Sequence, residues 1–141
     1  MDNLTKEQRS NNMRNIRSKG TKPEQKIMNE LYQRNIDFTT YVKEITGKPD
    51  IVFTKEKVIV FIDSVFWHGH PEKFIMPKTN QNYWSKKIQR NKDRDKQVNE
   101  LLSKKGWNVI RIWDCDIYHN LSGCLNEIFI ALGRKDLIEE D

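Results

Sequence analysis

Five side chains with complementary chemistry stand close together near the middle of the chain, in the order Asp50, Asp63, Phe66, Trp67 and His68. Carboxylates bind hard divalent cations, an imidazole transfers protons near neutral pH, and flat aromatic rings stack on bases. The combination predicts metal-dependent hydrolysis of a phosphodiester bond in a nucleic acid.

A predicted hairpin brings the two carboxylates together. Residues 51–53 and 58–62 are β-branched, apolar runs, and the charged residues 54–57 between them indicate a tight turn. This turn sets positions 50 and 62 roughly opposite each other, so Asp50 can share a cation with the Ile62 carbonyl or the Asp63 side chain. Taken alone, an aspartate that follows a proline is typical of a turn. The presence of Asp63 at the far end of the neighbouring strand favours a role for Asp50 in metal binding instead.

Candidates for the proton-transfer group and for a third acid remain open. His68 and His70 both follow the predicted ion site, and their spacing does not decide which one activates water. Glu24 has two interpretations. It either completes a capping box with Thr21 at the start of a helix, or it supports a metal-bound water and orients the histidine.

The aromatic residues are candidates for contact with bases. Phe66 and Trp67 are neighbours, and neighbours in an extended chain point to opposite sides, so we expect at least one to face solvent or a ligand. Trp84 begins an apolar stripe, which favours packing as its role. Basic residues flank these rings, as suits stacking or wedging between base pairs, although a charge run is also typical of a solvated helix face: Lys78, Lys86, Lys87, Arg90 and Arg94.

The elements that position these residues follow from hydrophobic periodicity. We expect a helix over about 22–34, strands over 38–45, 51–53 and 58–62, and a loop over 69–80. A long helix then carries a stripe at positions 84, 88, 91, 95, 98 and 102 and ends at Gly106, before a strand over 107–113 and a last helix over about 121–132. The order α-β-β-β-α-β-α predicts an α/β fold with a central mixed sheet flanked by helices.

Composition limits the chain to one domain and favours a polyanionic partner. The 141 residues are 36% hydrophobic and carry a net charge of +5, with basic residues concentrated before residue 22 and between 73 and 105. We expect a basic arm over 1–20, the domain over 21–135 and an acidic tail over 136–141. No leader and no apolar run of about 18 residues is present, so we expect a cytoplasmic protein without membrane contact.

Several motifs together resemble the very short patch repair endonucleases. They are Met13 to Thr21, Lys48-Pro49-Asp50, Val60 to Asp63, Phe66-Trp67-His68-Gly69, Tyr83 to Asn91, Arg94-Asp95 and residues 106–115. The resemblance runs from about residue 8 to 118. It implies a restriction-endonuclease-like PD-(D/E)XK core and a Mg²⁺-dependent enzyme that nicks one strand of duplex DNA at a T:G mismatch.

The resemblance also implies roles for individual residues. Asp50 would be the metal carboxylate with the Ile62 carbonyl as second ligand, His68 would activate water, Glu24 would support that water, and Asp63 would lie near the scissile phosphate. The expected wedge beside the mismatch is Phe66, Trp67 and Trp84, and the expected contacts to DNA are Asn91, Arg14, Arg17, Lys19, Lys87 and Arg90. We expect a nucleoid-associated monomer acting on mismatched double-stranded DNA, with other mismatch-repair proteins as further partners.

One departure from the family concerns zinc. The family commonly carries a structural zinc, and the matching positions here are Val65, His70, Lys73 and Cys115, of which only two can be ligands. We therefore predict no zinc and expect the loop to be held by packing of Val65, Phe74, Ile75 and Met76. Two alternatives to a mismatch-specific nickase stay open: a restriction-like or structure-specific nickase without mismatch specificity, and a DNA-binding module without catalysis, against which the combination of Asp50, Asp63 and His68 argues.

Overall fold

The computed structural model describes residues 21–138. The strands are β1 (Thr39–Thr40), β2 (Ile51–Phe53), β3 (Val58–Asp63) and β4 (Asn108–Trp113). The helices are α1 (Lys22–Gln33), α2 (Gln81–Lys104), α3 (Asp114–His119) and α4 (Leu121–Ala131), followed by a 3₁₀ turn over Lys135–Leu137. The predicted arm, with Arg14, Arg17 and Lys19, lies outside the described residues, as does the end of the predicted acidic tail.

The four strands form one mixed sheet in the order β1-β2-β3-β4, which confirms the predicted architecture. The first three strands pair antiparallel, and β4 joins β3 in parallel after the long helix α2. Ile51 pairs with Val60, and extending this register sets Asp50 against Phe61. The prediction that positions 50 and 62 lie roughly opposite each other is therefore confirmed to within one residue, and the Ile62 amide donates to the Asp50 side chain at 2.7 Å.

The two central strands, β2 and β3, are buried on both faces of the sheet. On one face, side chains of β2, β3 and β4 pack against α1 and α4, with Ile27, Leu31 and Phe129 fully covered. On the other face, β3 packs against Val98 and Leu102 of α2. Burial of each such side chain stabilises the fold by about 1.5–3 kcal/mol. The continuous apolar sequence of β3 predicted this two-sided burial correctly.

Two of the predicted elements differ in extent from the elements that the structure contains. In place of a strand over 38–45, only Thr39 and Thr40 pair, because Tyr41 adopts a left-handed φ of 52° and the chain then turns. The last helix is preceded by the short α3, and Asn120 separates the two helices. Its side chain accepts a hydrogen bond from the Gly123 amide at 3.1 Å and so caps α4.

The described chain continues to pack beyond residue 135, since Leu137 and Ile138 rest against the core. Within residues 21–138, no helix combines the length and the apolar character that crossing a bilayer requires.

Candidate active site

Residues from both helical layers, from β3 and β4 and from the segment just before β2 meet in one open cavity of about 300 Å³ where β2 begins and β3 ends. Its lining includes Glu24, Asp50, Ile62, Asp63, Trp67, His68, Arg94, Asp95 and Arg111. The antiparallel pairing of β2 with β3 is what places the predicted carboxylates at the same edge of the sheet. A larger cavity of about 420 Å³ lies at the opposite end of these strands and contains none of the predicted site residues.

Asp50 is a half-buried carboxylate whose charge is poorly compensated by the protein. Its Oδ2 accepts a hydrogen bond from the Ile62 amide at 2.7 Å. Burial raises the pKa of Asp50 from 3.8 to about 7; the Ile62 amide and His68 oppose this change, and Glu24 and Asp63 add to it. A divalent cation would reverse this penalty, and oxygen donors in an open cavity fit Mg²⁺.

Glu24 faces the same cavity from the first turn of α1 and is 5% exposed. Its Oε2 accepts a hydrogen bond of 2.7 Å from the Tyr41 hydroxyl. Thr21 occupies the N-cap position, but its side chain makes no capping hydrogen bond. The Thr21 half of the predicted capping box is therefore wrong, and Glu24 is held by the turn after β1, where the left-handed Tyr41 directs its ring towards α1.

His68 lies between two carboxylates. Its Nδ1 is 2.5 Å from Oδ2 of Asp95, and its Nε2 is 3.8 Å from Oδ1 of Asp63. Burial alone would lower its pKa, but the hydrogen bond with Asp95 and the charge of Asp63 outweigh burial and raise the pKa of His68 above its ordinary value. When Nδ1 carries the proton and donates a hydrogen bond to Asp95, the lone pair of Nε2 is free to accept a proton from the cavity.

His70 occupies a different environment from His68. Its Nδ1 accepts hydrogen bonds from the amides of Glu72 and Lys73 at 3.0 and 3.1 Å, and its ring lies 4.6 Å from that of Trp113. His70 does not line the cavity that contains Asp50. Of the two histidines left open by spacing, His68 is the one placed for chemistry.

Asp63 is 5% exposed and is paired with an arginine that the sequence analysis did not single out. Nη1 of Arg111 donates to Oδ1 and Oδ2 of Asp63 at 3.0 and 3.2 Å. Burial raises the pKa of Asp63, while His68 and Arg111 oppose the rise. Oxygen or nitrogen atoms of Asp63, His68 and Asp95 all lie within 4.8 Å of one another.

The sequence reasoning missed Tyr41, Asp95 and Arg111 as members of the site. Two of them carry a signal. Asp95 is a charged residue within the stripe that α2 turns towards the sheet, and Arg111 interrupts the apolar strand β4 on the face that α2 covers. A charge at such a position requires a partner. Arg111 pairs with Asp63 and Asp95 with His68, and Nη1 of Arg111 also lies 3.6 Å from Oδ1 of Asp95. For Tyr41 we find no signal in the sequence.

Aromatic rings form a cluster beside the cavity. The ring of Phe66 lies 5.0 Å from Trp67, 5.6 Å from Phe74 and 5.3 Å from Trp84, and Trp67 lies 5.9 Å from Trp84. The argument that Phe66 and Trp67 point to opposite sides is wrong, because residues 64–69 form turns, with the His68 amide bonded to the Ser64 carbonyl. The rings are half-buried and leave a surface available for stacking.

The loop after β3 is held by polar contacts as well as by rings. Oδ1 of Asp114 accepts from the amides of Val65 and Cys115, at 3.3 and 2.8 Å. Phe74 stacks on Phe66, whereas Ile75 is 82% exposed, so the predicted packing role of Ile75 is wrong. The absence of zinc remains a prediction.

Basic residues of α2 surround the aromatic cluster. Nζ of Lys87 lies 6.0 Å from the Trp67 ring centre, Arg90 is exposed, and Arg94 lines the cavity. The Asn91 amide nitrogen donates to the Trp67 carbonyl at 2.9 Å, which fixes the loop to α2. Asn91 is thus engaged with the protein, Lys87 is half-buried beside the Trp67 ring, and Arg90 is exposed to solvent.

The fold and the cavity define a class of protein. A mixed sheet lies between helices, and a half-buried carboxylate at the strand ends lies beside further acids and a histidine. This is the restriction-endonuclease-like arrangement of a metal-dependent nuclease. The family model described as DNA mismatch endonuclease Vsr matches residues 1–73, and the chain belongs to this family. The protein is therefore a DNA endonuclease.

Relatives agree with this assignment over most of the chain. The chain is 38% identical over 137 residues to the "Type II nicking enzyme V.NmeDIP" of Neisseria meningitidis serogroup C, covering 96% of this chain and 93% of the relative. It is 45% identical over 111 residues to the "Type II nicking enzyme V.NaeI" of Lentzea aerocolonigenes, covering 75% and 67%. The "DNA mismatch endonuclease Vsr" of Escherichia coli K12 is 32% identical over 108 residues, covering 76% and 69%.

Proposed function

We propose that this protein is a Mg²⁺-dependent endonuclease that nicks one strand of duplex DNA at a T:G mismatch. The observation that carries the hydrolytic part is the half-buried Asp50 carboxylate in the same cavity as the His68–Asp95 pair. The names of the relatives, which include nicking enzymes and a mismatch endonuclease, support the choice of a nick and of a mismatched substrate.

Asp50 and the Ile62 carbonyl would hold the cation, since both line the cavity and both supply the oxygen donors that Mg²⁺ prefers. When bound, Mg²⁺ offsets the negative charge that grows on the phosphate oxygens during hydrolysis. Glu24, held by Tyr41, faces the same space and can accept a hydrogen bond from a water there.

His68 is the proposed general base. Asp95 orients the ring through Nδ1 and stabilises the positive charge that the imidazole gains when Nε2 takes a proton from the attacking water. Asp63, 3.8 Å from Nε2, stabilises the same charge from the other side. Because both carboxylates raise the pKa of His68, they make the imidazole a stronger base.

The aromatic cluster supplies the proposed mismatch contact. Phe66, Trp67 and Trp84 adjoin the cavity, and Trp67 also lines it, so a ring inserted beside a weakened base pair would bring the neighbouring phosphate towards Asp50. Lys87 and Arg90 would contact the DNA backbone, together with Arg14, Arg17 and Lys19 of the arm. We propose that the enzyme acts as a monomer on nucleoid DNA in the cytoplasm, alongside other mismatch-repair proteins.

The test is a nicking assay on a panel of duplexes that differ only in one base pair, with Mg²⁺ and after chelation. We expect a nick in one strand of the T:G duplex alone, lost on chelation. Asp50→Ala should abolish nicking and leave duplex binding largely intact, and substantial residual cleavage by this variant in Mg²⁺ would reject the assignment.

Two outcomes would favour the alternatives. Equal cleavage of matched and T:G duplexes would indicate a restriction-like nickase, and preference for a branched duplex would indicate a structure-specific one. Binding without any nick in Mg²⁺ or Mn²⁺ would indicate a DNA-binding module and contradict the endonuclease assignment.

A further inference from the structure

Ile75 is an apolar side chain that the fold leaves in solvent. Its exposed fraction, 82%, is the highest of any large apolar side chain in the described residues 21–138. Single apolar residues on a surface are ordinary, and Ile130, 56% exposed on α4, is an example. Ile75 differs from it because its neighbours in the chain are fixed to the fold on one side and carry positive charge on both.

The loop that carries Ile75 is fixed immediately before this residue. Nδ1 of His70 accepts hydrogen bonds from two loop amides at 3.0 and 3.1 Å, and the His70 carbonyl accepts one from the Phe74 amide at 3.2 Å. The Phe74 ring stacks on Phe66, with the ring centres 5.6 Å apart and the planes inclined at 29°. Ile75 is therefore attached directly to the aromatic cluster and projects from it into solvent.

The chain on both sides of Ile75 is positively charged. Lys73 and Lys78, two residues before it and three after it, are both exposed. The acid nearest in sequence is Glu72, and from position 73 to 92 the chain has six basic residues and no acid: Lys73, Lys78, Lys86, Lys87, Arg90 and Lys92. Cations beside an exposed apolar side chain fit a polyanion that also displays an apolar group, and the surface continues from the aromatic cluster.

Duplex DNA displays one apolar group at its base edges. The edges in the grooves consist of hydrogen-bond donors and acceptors, apart from the C5 methyl group of thymine in the major groove. An isoleucine side chain has no hydrogen-bonding atom, and because it is branched it lacks the flat face with which the neighbouring rings can stack on a base. A thymine methyl group is therefore the partner that matches Ile75 chemically.

The ring contacts place Ile75 away from the point where the wedge would enter. Trp67 lines the cavity, and Phe66 contacts both Trp67 and Phe74, at 5.0 and 5.6 Å. Phe74 and Ile75 do not line the cavity. Base pairs follow one another every 3.4 Å along the duplex, so a side chain beyond this series of rings reaches a neighbouring base pair.

We propose that Ile75 is a specificity-determining residue that contacts the methyl group of a thymine flanking the mismatch, in the major groove. Lys73 and Lys78 bind phosphates on either side of this contact. The inference deepens the proposed function by naming part of the sequence that the enzyme recognises. It rests on the proposed function in one respect, namely that the duplex lies across the aromatic cluster.

Removing one methyl group at a time from the DNA tests the inference without measuring cleavage. The duplexes carry a T:G mismatch with T·A pairs in both orientations on each side, and each T·A pair in turn is replaced by U·A, which lacks only the methyl group. Fluorescence anisotropy with the full-length protein in chelator should show about a fourfold loss of affinity at one flanking position. Ile75→Ala should bind the T·A and U·A duplexes of that position equally, because the contact is absent from both.

Variants of similar shape separate an apolar contact from a steric one. Ile75→Val should keep most of the preference for thymine over uracil, whereas Ile75→Thr, which differs from it by a hydroxyl in place of a methyl group, should lose most of it. Ile130→Ala is the matched control, because it truncates an exposed isoleucine on the other face of the sheet, and it should keep the full preference. Ile75→Ala should melt at the temperature of the unmodified protein, and a clear fall would indicate a packing role and contradict the inference.

Other results would also overturn the inference. Uracil that costs no affinity at any flanking position excludes a methyl contact, and a preference for thymine that persists in Ile75→Ala belongs to another residue. Equal weakening of all duplexes by Ile75→Ala would indicate a wedge between base pairs instead. Lys73→Ala should weaken the T·A and U·A duplexes alike and lower the salt dependence of binding, and an unchanged salt dependence would remove Lys73 from the phosphate contact.

Failure of the proposed function gives a different result. Equal affinity for T:G and fully matched duplexes would contradict the proposed mismatch specificity. The methyl comparison would still decide the role of Ile75, because it is made between duplexes that differ by one methyl group alone.

Discussion

Replacing Asp50 by asparagine should make the metal-free protein more stable while it abolishes nicking. Asp50 is half-buried near Glu24 and Asp63, and the hydrogen bond that its side chain accepts from the Ile62 amide can also be accepted by an asparagine oxygen. The substitution therefore removes an unfavourable charge and retains the contact. The proposed reason for keeping the acid is that it binds the cation, so stability and activity should change in opposite directions.

The size of the gain follows from the pKa of Asp50, which burial raises from 3.8 to about 7. A displacement of that size corresponds to about 4 kcal/mol of penalty for the ionised carboxylate in the folded protein. The cavity is open to solvent, which screens the charge, so we take about half of this value, about 2 kcal/mol. For a domain of this length, such a gain raises the melting temperature by roughly 6 °C.

The gain should depend on pH with a definite sign. Between about pH 4 and pH 7 the folded protein retains a proton on Asp50 that the unfolded chain has released. The contribution of Asp50 to stability is therefore complete below pH 4 and is lost as the pH rises through 7. Asparagine has no such proton, so the advantage of the variant should be near zero at pH 4 and largest at pH 8.

Thermal unfolding in chelator, at several pH values from 4 to 8, measures this effect. Asp93→Asn is the control, because Asp93 is exposed on α2 and its replacement makes the same change in net charge without relieving burial. Added Mg²⁺ should then stabilise the unmodified protein and leave Asp50→Asn unchanged. An Asp50→Asn variant that is less stable than the unmodified protein at pH 8, or equally favoured at pH 4, would refute the reasoning.

Three further substitutions probe the neighbours of this carboxylate and the aromatic cluster. Asp95→Asn should lower the pKa of His68, so the acidic limb of the pH–rate profile should move to lower pH. The same change should lower kcat by about 10²-fold. An acidic limb that does not move would exclude coupling between the two residues. Tyr41→Phe removes the hydrogen-bond donor to buried Glu24 and should lower the free energy of unfolding in urea by about 1–3 kcal/mol. Tyr83→Phe, at an exposed site, should lower it little. Equal losses would contradict the role of the Tyr41–Glu24 hydrogen bond. Trp84→Ala should weaken binding to a T:G duplex by about 10–100-fold in fluorescence anisotropy without changing Mn²⁺ binding, and unchanged affinity would remove Trp84 from the DNA interface.

Much of the fold follows from local sequence patterns because those patterns report burial directly. The β-branched runs that became β2 and β3 are separated by one charged turn, so their pairing follows from chain connectivity alone. The stripe of α2 likewise predicted which side chains face the sheet, among them Ile88, Val98 and Leu102. The prediction of a strand over residues 38–45 failed because one left-handed residue ends the pairing that a weak alternation indicated. Nothing in that segment marks Tyr41 as left-handed.

The residue types proposed for catalysis were recognisable from sequence, but their charge compensation was not, because it depends on contacts across long stretches of chain. Arg111 meets Asp63 across 48 positions and Asn99 across 12, through the parallel addition of β4 beside β3 and the crossing of α2 over both. Strict alternation nevertheless places Arg111 on the same face as Val109, which packs against α2. A charged residue on a helix-covered face implies an opposite charge on that helix, and Asp95 is the acid within the inward stripe. Considering the charge in β4 together with the acid in the α2 stripe, rather than each element alone, would have located Arg111 and Asp95 in the candidate active site.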